Sequence, residues 1–235
     1  MAAARTVALS EIITQVLYEL RDPNGYNYNK DGAYAELIGY INKCNEYIYE
    51  LLVDDESELI QTGSGTFATV AGTQSYDLSA NTMGDFWVPR SLGGHGDRQA
   101  YAVWISTKEP MYMCREEDTF DAINQEEDSA TGSRTEPREF CIIGNYLWFR
   151  DVPDDAYTVK LRYFPNFVPL TLTTENMPFK NLFNNEVIQG TILYAKHRNE
   201  RGIQTDAIIK DIFTMRAARL SRKRMSRQAR ITPRM

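Results

Sequence analysis

Residues able to carry acid–base, nucleophilic or metal chemistry occur in this sequence, but their spacing fails each reaction they suggest. The densest carboxylate cluster is Glu116-Glu117-Asp118 with Asp121. Glycoside hydrolysis needs two carboxyl groups facing each other across a cleft of roughly 5–9 Å, which neighbours on one short segment do not provide. A calcium loop needs alternating oxygen ligands closed by a bidentate Glu, also missing here. The cluster reads instead as the solvated face of a short acidic helix over Arg115–Asn124. Cys44, Cys114 and Cys141 lack both a neighbouring His base and CxxC spacing, and their odd number fits a reducing compartment. The two histidines, His95 and His197, lie about a hundred positions apart, so zinc would have to recruit scattered ligands. Gly63-Ser64-Gly65 is not followed by the Lys and hydroxyl of a phosphate-binding loop and reads as a loop leading into a strand at Thr66–Val70. Gly93-Gly94-His95-Gly96 has the look of an oxyanion loop, but no GxSxG nucleophile elbow exists to use it, and it reads as a mobile loop. The expectation is a non-enzyme with no cofactor and no metal.

Charge is the stronger signal. The formal net charge is −6. From Ile212 to Met235 the chain carries eight basic residues (Arg216, Arg219, Arg222, Lys223, Arg224, Arg227, Arg230 and Arg234) and no acidic one. The other 211 residues hold 18 basic and all 32 acidic side chains, a net of −14. In a continuing helix Arg216, Arg219, Lys223, Arg227 and Arg230 would form one stripe. Such a tail is too polar to bury alone. It suits a polyanion or an acidic protein surface, and the acidic body argues for the protein.

Tyrosine is the second signal. Tyr26, Tyr28, Tyr34, Tyr40, Tyr47 and Tyr49 crowd the first helical segments, more rings than one buried face accommodates. Core packing and a subunit interface both fit, since Tyr adds rigid contact area at low entropic cost.

The elements that must position these groups follow from periodicity. Apolar residues at Leu9, Ile12, Ile13, Val16, Leu17 and Leu20 predict a helix starting near Ser10-Glu11 and stopped by Asp22-Pro23-Asn24-Gly25. A second helix is expected from Gly32 to about Leu52, capped by Asp31, with Tyr34, Leu37, Ile38, Ile41, Cys44, Ile48 and Leu51 inward. The short connection predicts an antiparallel helical hairpin. Seven of nine prolines and all three tryptophans fall in the middle of the chain, where the period changes to two. Thr66–Val70 and Ser75–Leu78 read as a hairpin around Ala71–Gln74, and Tyr101–Ser106 as a strand. Glu139–Ile143 and Tyr146–Arg150 read as a hairpin turning at Gly144-Asn145, and Tyr157–Phe164 as a half-buried strand. Glu126–Arg138 is an expected exposed loop. Helices return after Pro178: one capped by Asn184 or Asn185, then a break at Gly202, then one capped by Thr205.

The resulting expectation is an α+β fold. An antiparallel helical bundle is built from both chain ends, with an antiparallel β domain inserted and a basic C-terminal arm extended from it. The boundaries are 1–60, 61–178, 179–220 and 221–235. The longest apolar run, Ala100–Ile105, is far short of the ~20 residues of a membrane span, and Met1–Leu9 shows no secretory signal.

The order of several short motifs resembles one family, the head-to-tail adaptors (connectors) of tailed bacteriophages. The resemblance covers most of the chain. It runs through Glu11-Ile12-Ile13 to Leu20-Arg21-Asp22 and the helix Leu37–Cys44. It continues through Phe67–Leu78, Pro137, Ile143–Phe149, Pro153 and Leu161–Phe164. The Gly84–Gln99 and Gly132–Arg138 loops are longer than in that pattern. The resemblance implies a virion protein at the head–tail junction, assembled in the host cytoplasm. About twelve copies would form a ring below the portal protein and receive the tail nozzle, with double-stranded DNA passing through the lumen unbound. It makes the basic arm, Arg216–Arg234, the portal contact and the six tyrosines the subunit contact. A different reading stays open, a DNA-binding regulatory protein using the basic tail.

Overall fold

The computed structural model describes residues 7–29, 33–55, 60–80, 83–95, 98–105, 110–113, 135–179, 182–197 and 207–215. The expected acidic helix 115–124, most of the loop 126–138, Gly202, Thr205 and all eight residues of the basic stretch lie outside them. The chain is mixed α+β, with four helices and a curled sheet among the described residues, and it divides into two compact units: Met1–Ile60 with Phe167–Met235, and Gln61–Asn166.

The helical unit begins with α1 (Leu9–Glu19), which buries Leu9, Ile12, Ile13, Val16 and Leu17 on one stripe. No side chain caps it. Its first N–H groups, orphaned at any helix start, are satisfied by a distant strap: Leu9 donates to Glu175 O at 2.8 Å and Ser10 to Thr173 O at 2.9 Å. Helix α2 (Ala35–Asp54) starts three residues later than expected. The residue before it is Tyr34, in the left-handed region at φ 52°, rather than Asp31. Of the expected inward face Leu37, Ile38, Ile41, Cys44 and Ile48 are buried, Tyr34 and Leu51 are only half-buried, and Asn45, Tyr49, Leu52 and Val53 join it. Asn42 and Tyr49, on this added side, meet the strap. The Asn42 amide donates to Leu170 O (2.8 Å) and accepts from Leu170 N (2.9 Å), and Tyr49 packs on Phe167 and Phe179.

Helix α3 (Asn184–Lys196) buries Val187, Gly190, Thr191 and Ala195. Phe183, not an Asn, precedes it, and no side-chain cap forms. Helical residues 207–215 (α4) bury Ile209 and Phe213. The expected pairing of the first two helices with each other is not their principal contact: both α1 and α2 pack mainly on α3. The physical reason is the smallness of α3 at the contact, where Gly190 lets Cys44 of α2 approach closely.

The described residues of the β unit form one nine-stranded sheet: β1 (Gly63–Ala68), β2 (Ser75–Asp77), β3 (Phe86–Pro89), β4 (Ser91–His95), β5 (Arg98–Ile105), β6 (Pro110–Met113), β7 (Glu139–Ile143), β8 (Tyr146–Phe149) and β9 (Thr158–Pro165). The main order is β1-β9-β5-β6-β7-β8-β2, with β3 on β9 and β4 on β5. The β7–β8 hairpin forms as expected, with Gly144 at φ 60° in its turn. In β9 Val159, Leu161 and Tyr163 are buried while Thr158, Lys160 and Arg162 are exposed; the alternation stops at Phe164, which is buried as well.

Four expectations are corrected. β1 and β2 do not pair with each other; β1 pairs with β9 and β2 with β8, so their connection crosses between different edges. Tyr76 ties that connection down: its hydroxyl accepts from Val70 N–H (2.9 Å) and lies 2.8 Å from Thr73 O. Gly63-Ser64-Gly65 is strand, not loop; a side chain at Gly65 would collide with Met83 of the core. Gly93-Gly94-His95 lies in β4, and most of the long 84–99 segment is two strands. Finally, the sheet is not purely antiparallel. β6 and β7 run parallel (Tyr112 beside Glu139), which the long connection from Met113 to Glu139 permits. The core of the unit gathers Leu78, Met83, Val103, Phe140, Leu147, Phe149, Val159 and Leu161. Each fully buried Leu or Phe contributes about 1.5–3 kcal/mol of transfer free energy.

Candidate interaction surfaces

The six tyrosines separate by environment. Tyr49 is buried, its ring absorbed by the helical unit's own core. Tyr40 stacks on Tyr194 of α3, centroids 5.6 Å apart and planes at 15°, and its hydroxyl donates to Glu36. Tyr47 packs on Phe213, with Lys210 Nζ 5.4 Å from its ring centroid. The Tyr28 hydroxyl donates to Ala195 O at 3.3 Å, and Tyr34 is half-buried against Gly25. Tyr26 alone of the six stands free of the core, at 80% exposure. It sits on the turn after α1, where the buried Asp22 carboxylate accepts from the backbone N–H of Tyr26 (3.0 Å) and Asn27 (2.9 Å). These rings therefore rim the helical unit rather than forming one continuous patch.

An open groove of about 610 Å³ runs between α1 and α3. Thr14, Gln15 and Tyr18 line one side, Ile188, Gln189 and Ile192 the other, and Tyr18 is 75% exposed. Amides beside half-exposed isoleucines and a tyrosine are the composition of a protein contact. Tyr18 is missed by the sequence reading, because its position lies just off the apolar stripe that defines the helix.

In the β unit a second groove, about 440 Å³, crosses the outer face of β1, β9 and β5. Lys160 and Arg162 are exposed there beside Trp104, and the Arg162 guanidinium sits 6.0 Å from the Trp104 ring centroid. The alternation of β9 announces which residues face outward. Only the pairing of strands distant in sequence brings Trp104 to them.

Among the described residues no set of three or more His, Cys, Asp or Glu side chains is placed to hold a metal ion. Cys44 is buried and its thiol pKa is pushed up to about 12, chiefly by loss of solvent, so it is held as an unreactive thiol. Cys141 is also buried. The Tyr163 hydroxyl, 2.7 Å from Asp85 Oδ1, rises to about 12 through burial and that hydrogen bond, which fixes β9 to the 83–86 turn rather than preparing a base. No described helix is long and apolar enough to cross a membrane.

Grooves, rimming tyrosines and an aromatic-basic face are surfaces of the composition found at protein contacts. Residues 7–234 match the SU10 adaptor protein family, a family of phage head-to-tail adaptors, and the chain belongs to it. Comparison with curated proteins gives no match. The protein is thus a phage structural adaptor.

Proposed function

We propose that copies of this chain close into a ring, of about twelve subunits, that docks beneath the portal protein and receives the tail nozzle, with the genome passing through its lumen. The family match across residues 7–234 carries this reading. The charge division supports it: a body of net −14 keeps a DNA duplex sliding, because no counterion release rewards contact with an acidic wall. The basic arm, with Arg216, Arg219, Arg222, Lys223, Arg224, Arg227, Arg230 and Arg234, orders against an acidic portal surface and couples docking to folding. Tyr26, the half-buried Tyr28, Tyr34, Tyr40 and Tyr47, and the α1–α3 groove with Tyr18 supply neighbour-to-neighbour contacts in the ring.

Removing residues 221–235 tests the arm. The truncated chain should keep its circular dichroism and melting temperature yet no longer co-sediment with portal; unchanged co-sedimentation refutes the assignment. A duplex-binding titration in rising salt tests the competing regulatory role. Tight binding with a steep salt slope by the full chain would favour the regulator instead.

A further inference from the structure

Two surfaces of this chain are electrostatically unfavourable while the chain is alone. The first is the outer face of β1, β9 and β5. Register sets Lys160 between Thr66 and Trp104, and Arg162 across from Ser64. On the other edge Arg90 N donates to Arg162 O at 3.0 Å, continuing the register that pairs Val88 with Phe164 and Pro89 with Tyr163. Arg90 therefore stands across from Arg162 on the same face. Like charges opposed on one face of a sheet are destabilising. Among the described residues none of the three has an ion-pair partner.

The second surface is the end of α2. Glu50 and Asp54 are exposed in its last turns, and no basic residue stands in the last turn. Carboxylates there face the negative end of the helix dipole. The sequence continues Asp55-Glu56-Ser57-Glu58, and no Lys or Arg occurs between Cys44 and Pro89. Glu50 lines a groove with Lys43 and Lys210, whose ammonium groups lie over the rings of Tyr194 and Tyr47, at 5.6 and 5.4 Å from the centroids.

We propose that the Lys160–Arg162–Trp104 face of one copy receives the exposed carboxylates Glu50 and Asp54, at the end of α2, of a second copy. This rests on the ring reading and specifies its subunit contact. Each surface relieves the other, and because the two differ, the contact is head-to-tail and propagates around a ring. The chemistry is that of carboxylates: Arg162 offers a planar fork while its face lies on Trp104, and Ser64 and Thr66 add hydroxyl donors. Duplex DNA is the poorer occupant, since the acidic body opposes the approach of a long polyanion.

The test uses two full-length variants, Lys160→Glu/Arg162→Glu and Glu50→Lys/Asp54→Lys, at four exposed positions. Ring assembly with the portal protein is followed by sedimentation and electron microscopy at low and high salt. Each variant alone should lose assembly at least tenfold, and an equimolar mixture should recover it, because both of its mixed junctions are complementary. Wild-type assembly should weaken with salt. If the wild type forms rings and each reversed variant does so equally well, this contact is wrong while the ring stands; if the wild type forms none, both fail. Absence of recovery in the mixture also overturns the pairing. So does a Lys160→Glu/Arg162→Glu chain that assembles normally but loses binding to a labelled duplex, which would make the face a nucleic-acid surface. Should either reversal unfold the chain, Lys160→Gln/Arg162→Gln and Glu50→Gln/Asp54→Asn replace them, with weaker and less salt-sensitive assembly expected and wild-type behaviour refuting.

Discussion

Replacing Gly190 by Ala sets helix propensity against packing where α3 meets α2. In the interior of a helix Ala is favoured over Gly by about 0.8–1.0 kcal/mol, so on propensity alone the change stabilises. The structure reverses that sign. A methyl group at Gly190 would lie 2.7 Å from Cys44 Sγ, with Phe213 Cζ and Ile209 Cγ2 behind it at 3.6 and 3.7 Å. The sulfur is only two bonds from its own helix backbone and fully buried, so relief requires the two helices to move apart. Overpacking of this kind costs about 1–3 kcal/mol, which leaves a net loss of up to about 2 kcal/mol. Cys44→Ala removes the obstructing sulfur at its own cost of about 1–2 kcal/mol, and in that background Gly190→Ala should stabilise by about 1 kcal/mol. The cycle of four proteins therefore predicts a favourable coupling of about 1–3 kcal/mol. Urea unfolding followed at 222 nm weights the helices. The three tryptophans, all in the β unit, provide a fluorescence control for effects outside the helical unit. A wild-type background in which Gly190→Ala raises the midpoint, or a coupling below about 0.3 kcal/mol, would refute the argument that this contact is closed by backbone proximity.

Two further outcomes follow from single groups. Asp22→Ala deprives two backbone N–H groups of a charged acceptor and should lower stability by about 1–3 kcal/mol, with Asp22→Asn intermediate; a loss under about 0.5 kcal/mol in urea melts would show that the turn holds itself. For Tyr163, burial and the bond to Asp85 favour the protonated phenol, so its folded pKa is raised from 10.0 to about 12. Its contribution is fully present below pH 10 and is lost as pH climbs towards about 12. Fluorescence-detected urea midpoints should fall over that window in the wild type and fall less in Tyr163→Phe; equal slopes would refute the assignment.

Local physics determined much of this protein directly in its sequence. The α1 stripe, the α2 face from Leu37 to Ile48, the β7–β8 hairpin and the alternation of β9 from Thr158 to Tyr163 need only neighbours within a few residues, and each is as the pattern requires. The order of the short motifs likewise marked the adaptor family to which the chain belongs. Tertiary structure decided where local signals were ambiguous or misleading. Thr66–Val70 and Ser75–Leu78 look like a hairpin because a glycine turn joins them, yet Phe67 pairs with Val159 and Tyr76 with Leu147, partners whose hydrogen bonds no local pattern encodes. Gly63, Gly65, Gly93 and Gly94 read as loop by propensity, and pairing with β9 and β5 makes them strand. Asp31 or Asn185 offers a cap by residue type, but α1 shows why caps are dispensable here: a strap far along the chain, at Thr173 and Glu175, delivers the acceptors instead. The candidate surfaces divide the same way. Their charges are legible in one dimension, as an acid-rich stretch and a run of alternating cations. Their meeting with Trp104, Arg90 and the end of a helix dipole exists only once distant strands have paired and α2 has ended where it does.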